Sequence, residues 1–228
     1  MSGDEADGFL EGRLKLRQGP GHRAGHDAVL LASLTPPGQT GLILDIGAGA
    51  GAVGLMAAVL APAARVGLVE IDPASCALAR ENAAANGLSG RVSIHEADVT
   101  LAKARRAAGL VDEQAALVLT NPPFYAPGRV RVTPDPDKAR AHVAAVPLAE
   151  WARGALALLA PGGTFAMIHR ADALHECLAA VEGRLGGVTV QPVYSRAGEP
   201  AVRVLITGVK GSKAPLSILP ALALHASR

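Results

Sequence analysis

The stretch LILDIGAGAGAVG, residues 42–54, has the pattern of a buried strand, a glycine-rich loop and the start of a helix. Glycines in such a loop permit a tight turn and a close approach of the backbone to a ligand, at the positive end of the following helix. Written as Gly47-x-Gly49-x-x-Ala52, the loop also satisfies the dinucleotide-binding fingerprint. The glycine spacing therefore predicts a nucleotide-containing cofactor, without deciding which one.

Short apolar strands alternate with alanine-rich helices along most of the chain. Strands are predicted near residues 42–46, 66–70, 92–95, 115–120, 164–169, 188–193 and 202–207, and helices near 52–60, 73–86, 101–108, 147–159 and 171–185. This alternation predicts an α/β protein whose parallel sheet is covered by helices on both faces. The last two strands have no helix between them, so we expect an antiparallel pair at one edge of the sheet.

A second motif, Asn121-Pro122-Pro123-Phe124-Tyr125, directly follows an apolar strand. The two prolines end the strand, because proline cannot donate to a sheet ladder. Ligands of open parallel sheets bind at the carboxyl ends of the strands. Asn121 offers an acceptor and two donors, Pro122 offers a carbonyl, and the aromatic rings offer flat apolar faces. The motif suits a planar group that carries an NH2, although a proline-rich turn with packing aromatics is the simpler alternative.

Three acidic residues follow the first three predicted strands. Asp45 lies inside an apolar run, where a carboxylate needs a partner such as a cationic amino group. Glu70 ends the second strand and can accept hydrogen bonds from both hydroxyls of a ribose. Asp98 is placed to accept from an adenine amino group, or alternatively to cap the next helix. A nicotinamide-dependent oxidoreductase needs only the second of these acids and leaves Asp45 and Asp98 unexplained.

The acids, the glycine loop and the Asn-Pro-Pro-aromatic motif together resemble class I S-adenosylmethionine-dependent methyltransferases over residues 42–207. Residues 12–32 and 201–212 are similar to the flanks of the bacterial tRNA(Val) adenine-N6 methyltransferase-like family. The resemblance implies a Rossmann-like α/β fold with a seven-stranded, mostly parallel sheet and an antiparallel edge strand. It also implies S-adenosylmethionine as cofactor and methylation of an exocyclic amino group, adenine N6 of tRNA above all.

The resemblance implies a set of site residues. The catalytic group is Asn121, Pro122, Pro123 and Phe124. The cofactor contacts are Asp45, Gly47, Ala48, Gly49, Gly51, Glu70, Ile71, Asp98, Val99 and Asn121, together with Arg23 and Asp27 in the segment that the resemblance places over the cofactor. No metal ligand is expected.

Two basic segments are candidates for contacts with an RNA substrate. Residues 13–17 alternate strictly between basic and leucine residues, which predicts either a phosphate-contacting strand or a solvated edge strand. Residues 126–143 form a long loop, which predicts a flap over the target base or a surface insertion. The candidate substrate contacts are Arg13, Lys15, Arg17, Tyr125, Arg129 and Arg131.

Length and composition limit the remaining possibilities. The 228 residues suit one large domain, which we divide into an N-terminal extension (1–40), a catalytic domain (41–210) and an irregular tail (211–228), with residues up to about 9 disordered. The net charge of +2 permits an RNA partner. The two cysteines lack metal-ligand spacing and suit reduced thiols of a cytoplasmic protein. The start has no signal-peptide character, and the apolar run 46–64 is too rich in glycine and alanine for a membrane span.

Three alternatives remain for the acceptor and the activity. A protein glutamine N5-methyltransferase uses the same planar NH2, although only about 40 residues precede the first strand of the sheet and leave no room for a separate helical domain. An rRNA guanine-N2 methyltransferase is a further alternative. A non-catalytic RNA-binding relative would not need Asn121. The sequence leaves the oligomeric state open between monomer and homodimer.

Overall fold

A computed structural model describes residues 6–19, 24–123 and 146–225. The strands of the described residues are β1 (Asp7–Phe9), β2 (Leu14–Leu16), β3 (Leu42–Ile46), β4 (Arg65–Glu70), β5 (Val92–Glu96), β6 (Ala115–Thr120), β7 (Leu159–Arg170), β8 (Leu185–Arg196), β9 (Ala201–Lys210), β10 (Ser217–Ile218) and β11 (Leu222–His225). The helices are α1 (His26–Ala32), α2 (Ala52–Leu60), α3 (Pro73–Ala85), α4 (Ala102–Ala107), α5 (Leu148–Leu158) and α6 (Leu174–Val181), with a 3-10 turn at Ala171–Ala173.

The central sheet has nine strands. Eight of them lie in the order β10-β8-β9-β7-β6-β3-β4-β5, and β11 also pairs with β8. The five strands from β7 to β5 are parallel to one another, whereas β9 runs antiparallel to both β7 and β8. The prediction of an α/β fold with a mostly parallel sheet is confirmed. Its seven predicted strands are β3 to β9, and β10 and β11 extend the sheet beyond β8. The antiparallel strand is β9, which lies inside the sheet and not at its edge, because the chain first adds β8 and then returns between β8 and β7.

Helices cover both faces of the sheet. On one face, α1, α2 and α3 pack with β2 around side chains such as Leu14, Leu31 and Met56. On the other face, α5 and α6 pack around side chains such as Trp151 and Phe165. The apolar strands of the sheet are therefore buried from both sides, which explains their nearly continuous hydrophobic sequences.

Local sequence signals define helix α3. Pro73 occupies the first turn, where its missing N–H costs no hydrogen bond, and the Asp72 side chain accepts from the backbone N–H of Ser75 at 3.0 Å. The helix ends before Gly87, whose φ of +68° is readily adopted by glycine. These signals place the start of α3 beside the end of β4.

Three element predictions are wrong. Residues 7–9 are ordered as β1, which pairs antiparallel with β2. The helix predicted to reach residue 185 ends at Val181, because Gly183 and Gly187 have positive φ angles and β8 begins between them. The C-terminal residues expected to be irregular form β10 and β11, which pair with β8 and so occupy backbone groups at the edge of the sheet.

In the part of the chain that the structure covers, none of the helices combines the length and apolar character required to cross a membrane.

Candidate active site

A cavity of about 740 Å³ opens at the carboxyl ends of β3, β4 and β6. Its walls come from the glycine loop, the ends of these strands, the start of α3 and the N-terminal segment. The predicted site residues that line it are Asp27, Asp45, Gly47, Ala48, Gly49, Glu70, Asn121, Pro122 and Pro123. Residues far apart in the sequence thus meet in one cavity, because parallel strands place their carboxyl ends at the same edge.

Other predicted site residues are placed differently. Four of them are described by the structure but do not line the cavity: Gly51, Ile71, Asp98 and Val99. Arg23, Phe124, Tyr125, Arg129 and Arg131 fall outside the described residues. The roles assigned to these nine residues stay predictions.

The glycine loop ends in a tight turn at Gly51, the residue that precedes α2. Gly51 has a φ of +90°, a conformation that residues with a side chain seldom adopt. A Cβ atom at this position would also lie 2.9 Å from Leu68 Cδ1, which is too close for van der Waals contact. Gly51 therefore determines the turn at the end of the loop, whereas Gly47, Ala48 and Gly49 line the cavity.

Asp45 is almost completely buried at the end of β3, with 2% of its surface exposed. Its Oδ2 accepts a hydrogen bond of 2.8 Å from the backbone N–H of Gly54 in the first turn of α2. Burial raises the pKa of the Asp45 carboxyl from 3.8 to about 7, and the Gly54 hydrogen bond opposes this shift. A cationic ligand group in the cavity would favour the charged carboxylate.

Glu70 is held at the end of β4 by three backbone donors. Its Oε2 accepts from Gly49 N–H at 2.8 Å, and its Oε1 accepts from Ile71 and Asp72 N–H at 2.8 and 2.9 Å. Because a carboxylate has about four acceptor sites, Glu70 keeps capacity for a ligand hydroxyl. Ile71 thus contributes its backbone N–H, which fixes the carboxylate that faces the cavity.

Asp98 forms a local turn at the end of β5. Its Oδ1 accepts from the N–H and the hydroxyl of Thr100, at 2.9 and 2.6 Å. The alternative prediction that Asp98 caps the next helix is wrong, since α4 begins at Ala102 and Leu101 occupies the capping position.

Asn121 follows β6 and lines the cavity. Its Oδ1 is buried and has no hydrogen-bond partner among the described residues. A buried acceptor without a partner is energetically costly, so a ligand donor at this position would be stabilising. The atom lies where the sequence predicts an acceptor for an NH2 group.

The N-terminal segment forms a wall of the cavity that the sequence predicted only in part. Residues 16–19 and 24–28 contribute Leu16, Gln18, Gly19, Ala24 and Gly25 besides Asp27. Gln18 donates from its Nε2 to Asp7 Oδ2 at 2.6 Å and accepts from the Ala24 N–H, so it joins both ends of the segment. Its only sequence signal was its place beside the basic strand.

Asp27 lies in the first turn of α1 but does not cap this helix. Gly25 occupies the capping position of this helix without a side-chain hydrogen bond. The Asp27 Oδ2 instead accepts from Arg203 Nε of β9 at 2.8 Å, and both side chains are partly buried. Asp27 therefore connects the N-terminal segment to the sheet at the cavity.

The basic strand β2 has its leucines buried and its basic side chains exposed. Its backbone is bound by two asparagines of α3: Asn86 pairs with Lys15 and Asn82 pairs with Arg17, each through both N–H and C=O. The Arg17 guanidinium lies 3.7 Å from Glu81 at the surface. The predicted division into one basic face and one leucine face is confirmed.

The start of α3 lines the cavity through its capping residue Asp72 and through Ala74, Ser75 and Leu78, which were not among the predicted site residues. The helix-start signal at Pro73, three residues after Glu70, could have identified them.

The two cysteines are buried and free, and burial raises the pKa of Cys76 to about 11 and that of Cys177 to about 12. Neither thiol is therefore ionised near neutral pH. No cluster of potential metal ligands occurs in residues 6–19, 24–123 or 146–225.

The fold and this cavity define a methyltransferase of the class that uses S-adenosylmethionine. Residues 25–184 match the model of the methyltransferase small domain family. The chain belongs to this family, and S-adenosylmethionine is its methyl donor.

Individual relatives agree with this assignment. The tRNA1(Val) (adenine(37)-N6)-methyltransferase of Porphyromonas gingivalis is 36% identical over 186 residues, which cover 78% of this chain and 68% of the relative. The enzyme of the same name from Aeromonas hydrophila is 32% identical, with coverages of 81% and 75%. A crystal structure described as a predicted O-methyltransferase from Agrobacterium tumefaciens has a TM-score of 0.74 at 36% identity and covers 88% of both chains.

The residues of the cavity fit S-adenosylmethionine. Asp45 is a buried carboxyl that a cationic amino group would stabilise in its charged form. Glu70 is a fixed acceptor suited to ribose hydroxyls. The loop from Gly47 to Gly49 permits close approach, since a Cβ at Gly49 would meet no atom within 4 Å.

Proposed function

We propose that this chain methylates an exocyclic amino nitrogen, and that the acceptor is adenine N6 in tRNA. The observation that carries this proposal is the buried, unpartnered Asn121 Oδ1 at the edge of the cavity. The names of the bacterial relatives support the choice of tRNA and of adenine. The nicotinamide-dependent alternative is contradicted by the family to which the chain belongs.

Asn121 and Pro122 would activate the acceptor by hydrogen bonding. When bound, S-adenosylmethionine supplies an electrophilic methyl group. An exocyclic amine is a weak nucleophile, because its lone pair is delocalised into the ring. Acceptors at Asn121 Oδ1 and the Pro122 carbonyl oxygen, aimed at the two amine hydrogens, favour a pyramidal nitrogen with a free lone pair. After transfer, the nitrogen loses one proton to solvent, so no strong base is required.

Exposed basic residues would hold the RNA. Arg13, Lys15 and Arg17 lie in and directly beside β2 and are exposed to solvent, and the same strand borders the cavity through Leu16. Contacts of this kind with phosphates supply affinity without sequence specificity. We assign Arg129 and Arg131 the same role, and we assign Phe124 and Tyr125 to stacking on the target base, which is worth about 1–3 kcal/mol per base.

The proposal includes the catalytic, cofactor and substrate roles assigned above to individual residues. It also includes the division of the chain into an N-terminal extension, a catalytic domain and a tail at residues 40 and 210. We place the protein in the cytoplasm. The buried, free thiols of Cys76 and Cys177 are consistent with a reducing compartment.

Transfer of labelled methyl groups to separate pools of acceptors tests the proposal. The protein is incubated with labelled S-adenosylmethionine and with total tRNA, total rRNA or release-factor protein, each lacking the relevant methylation. We expect label in tRNA. Label confined to release-factor protein would favour glutamine methylation, and label confined to rRNA would favour guanine methylation; either result would overturn the assignment to tRNA.

A further inference from the structure

A buried hydrogen-bond relay joins helix α5 to the two central strands of the sheet. Trp151 Nε1 donates to Thr120 Oγ1 at 2.9 Å, and Thr120 Oγ1 donates to the carbonyl oxygen of Ile46 at 3.0 Å. Trp151 is 7% exposed and Thr120 is fully buried. No pattern in the sequence assigns Trp151 to the site, yet its N–H and the Thr120 hydroxyl form the defined polar contacts that buried groups of this kind require.

The relay lies where the glycine loop and the Asn121-Pro122-Pro123 turn leave the sheet. Ile46 and Thr120 are the last paired residues of β3 and β6. Directly after Ile46 the chain forms the glycine loop, and directly after Thr120 it forms the Asn121-Pro122-Pro123 turn. The bond from Thr120 to Ile46 therefore connects the two strands at the point where the cofactor loop and the acceptor motif leave the sheet.

The Trp151 ring also contacts the cofactor loop. A Cβ atom placed on Gly47 would lie 2.9 Å from Trp151 Cζ2 and 3.0 Å from Cη2, so the ring packs against the first residue of the loop. Gly47 has a φ of +74°, and its N–H donates to the Val69 carbonyl at 2.8 Å, which fixes the loop from the opposite side. One indole thus packs against the cofactor loop and is bonded to the residue before Asn121.

We infer that Trp151 and Thr120 are positioning residues for methyl transfer, because they fix the cofactor loop relative to Asn121. The inference rests on the role proposed above for Asn121, but it applies to any amino acceptor. Transfer between two bound groups requires the reacting atoms within roughly 3–3.5 Å, and a displacement of about 1 Å can cost about a hundredfold in rate. A relay located where the cofactor loop and the acceptor motif leave the sheet is suited to control this distance.

Two substitutions interrupt the relay and one retains it. Trp151→Phe keeps an aromatic ring in the core but removes the N–H donor and the indole atoms Cζ2 and Cη2 that lie against Gly47. Thr120→Val keeps the shape of the side chain and removes the hydroxyl, whereas Thr120→Ser keeps the hydroxyl. The matched control is Thr207→Val, which breaks a 2.7 Å hydroxyl contact with Thr189 between β8 and β9, outside the cavity lining.

Single-turnover transfer rates and S-adenosylmethionine dissociation constants are measured for each variant, well below its unfolding temperature. We expect Trp151→Phe and Thr120→Val to lower the rate at saturating cofactor at least about tenfold, while the dissociation constant changes less than about threefold. Thr120→Ser should retain most of the rate, and the loss of rate in the double variant should be smaller than the product of the two single losses. Rates like that of Thr207→Val, or dissociation constants that rise in proportion to the loss of rate, would overturn the inference.

Failure of the positioning role and failure of the proposed function give different results. The wild-type protein shows which acceptor pool takes the label, and the variants are compared with it on that pool. The chain has one tryptophan, so its fluorescence provides a readout that needs no acceptor. We expect the change in emission on adding S-adenosylmethionine to be retained in Thr207→Val and to differ in Thr120→Val. An identical change in both variants would count against the relay even if no RNA is methylated.

Discussion

At the scale of single residues, Asp45 places a carboxyl group in a nearly dry position that also borders the cofactor cavity. In the folded protein burial raises the pKa of Asp45 to about 7, so the carboxyl is largely neutral below that pH. A cationic amino group of the cofactor binds the ionised form better. Binding of the cofactor therefore favours release of a proton from Asp45 near neutral pH.

We predict that affinity for S-adenosylmethionine falls as the pH decreases below about 7, approaching tenfold per pH unit. Isothermal titration across pH 5.5–8.5 measures this dependence. Asp45→Asn, which cannot ionise, should bind weakly and show a nearly flat profile. An unchanged slope in Asp45→Asn would assign the pH dependence to another group.

The same group affects stability in the opposite direction. Without cofactor, the folded protein keeps the Asp45 proton up to about pH 7, whereas the unfolded chain releases it near the ordinary pKa of 3.8. Between these values the folded state binds more protons, so this carboxyl makes the free energy of unfolding decrease as pH rises. Asp45→Asn should remove that contribution in urea unfolding at pH 4.5 and 7.5, and an unchanged difference between the two pH values would contradict it.

For Asn121, we predict that Asn121→Ala retains cofactor affinity within about threefold and loses at least about a hundredfold in turnover, as expected for an interaction made in the transition state. The measurement compares the cofactor dissociation constant with the transfer rate. Parallel loss of both would show that Asn121 serves mainly to bind the cofactor.

Sequence identified Asp45, Glu70 and Asn121 because a polar residue at the end of an apolar strand has few structural explanations. It did not identify Gln18 or Ser75, whose polar side chains are common in loops and helix starts. Their position at the cavity depends on the packing of the N-terminal segment against α3, which no local pattern reports.

At the scale of secondary-structure elements, the attachment of β2 to α3 depends on two asparagines one helical turn apart. Asn82 Nδ2 donates to the carbonyls of Arg17 and Ala50, both at 2.9 Å, while its Oδ1 accepts from Arg17 N–H. Asn82 is buried and therefore links three parts of the site: the basic strand, the glycine loop and α3.

We predict that Asn82→Ala lowers the free energy of unfolding by about 2–4 kcal/mol, because it leaves buried backbone groups without partners. Asn86→Ala is the matched control: it also binds the backbone of β2 but is more exposed, and it should cost about 1 kcal/mol. Urea denaturation measures both. Equal losses for the two variants would show that the link to the glycine loop contributes nothing.

The boundaries of elements were less predictable than their existence. The apolar runs specified the strands of the sheet, and Pro73 and Gly87 specified the ends of α3. The shortening of α6 and the strands β10 and β11 were missed, because they depend on glycine φ angles and on backbone groups available at the edge of β8. Neither cause is visible in hydrophobic periodicity.

At the scale of the whole molecule, the N-terminal segment is connected to the far part of the sheet. Asp27 and Arg203 are separated by 176 residues and form a partly buried ion pair at the cavity. The resemblance to one family identified both of these segments, residues 12–32 and 201–212. Their contact could not be predicted from either segment alone, since it requires β9 to lie inside the sheet.

We predict that Arg203→Gln weakens cofactor binding about threefold to tenfold, corresponding to about 1 kcal/mol, because Asp27 loses the partner that holds it at the cavity wall. The control is Arg196→Gln, which removes a more exposed pair with Glu199 at 3.8 Å. Isothermal titration with S-adenosylmethionine compares the two variants. Equal affinities would contradict a role of the Asp27–Arg203 pair in the site.

The identity of the methylated nucleoside distinguishes methylation of adenine N6 from the alternative reactions. Transfer RNA lacking the modification is incubated with the protein and S-adenosylmethionine, digested to nucleosides and analysed by mass spectrometry against standards. We predict N6-methyladenosine in the digest with the wild-type protein and its near absence with Asn121→Ala. N2-methylguanosine in its place, or unmodified tRNA together with methylated glutamine in release-factor protein, would contradict methylation of adenine N6.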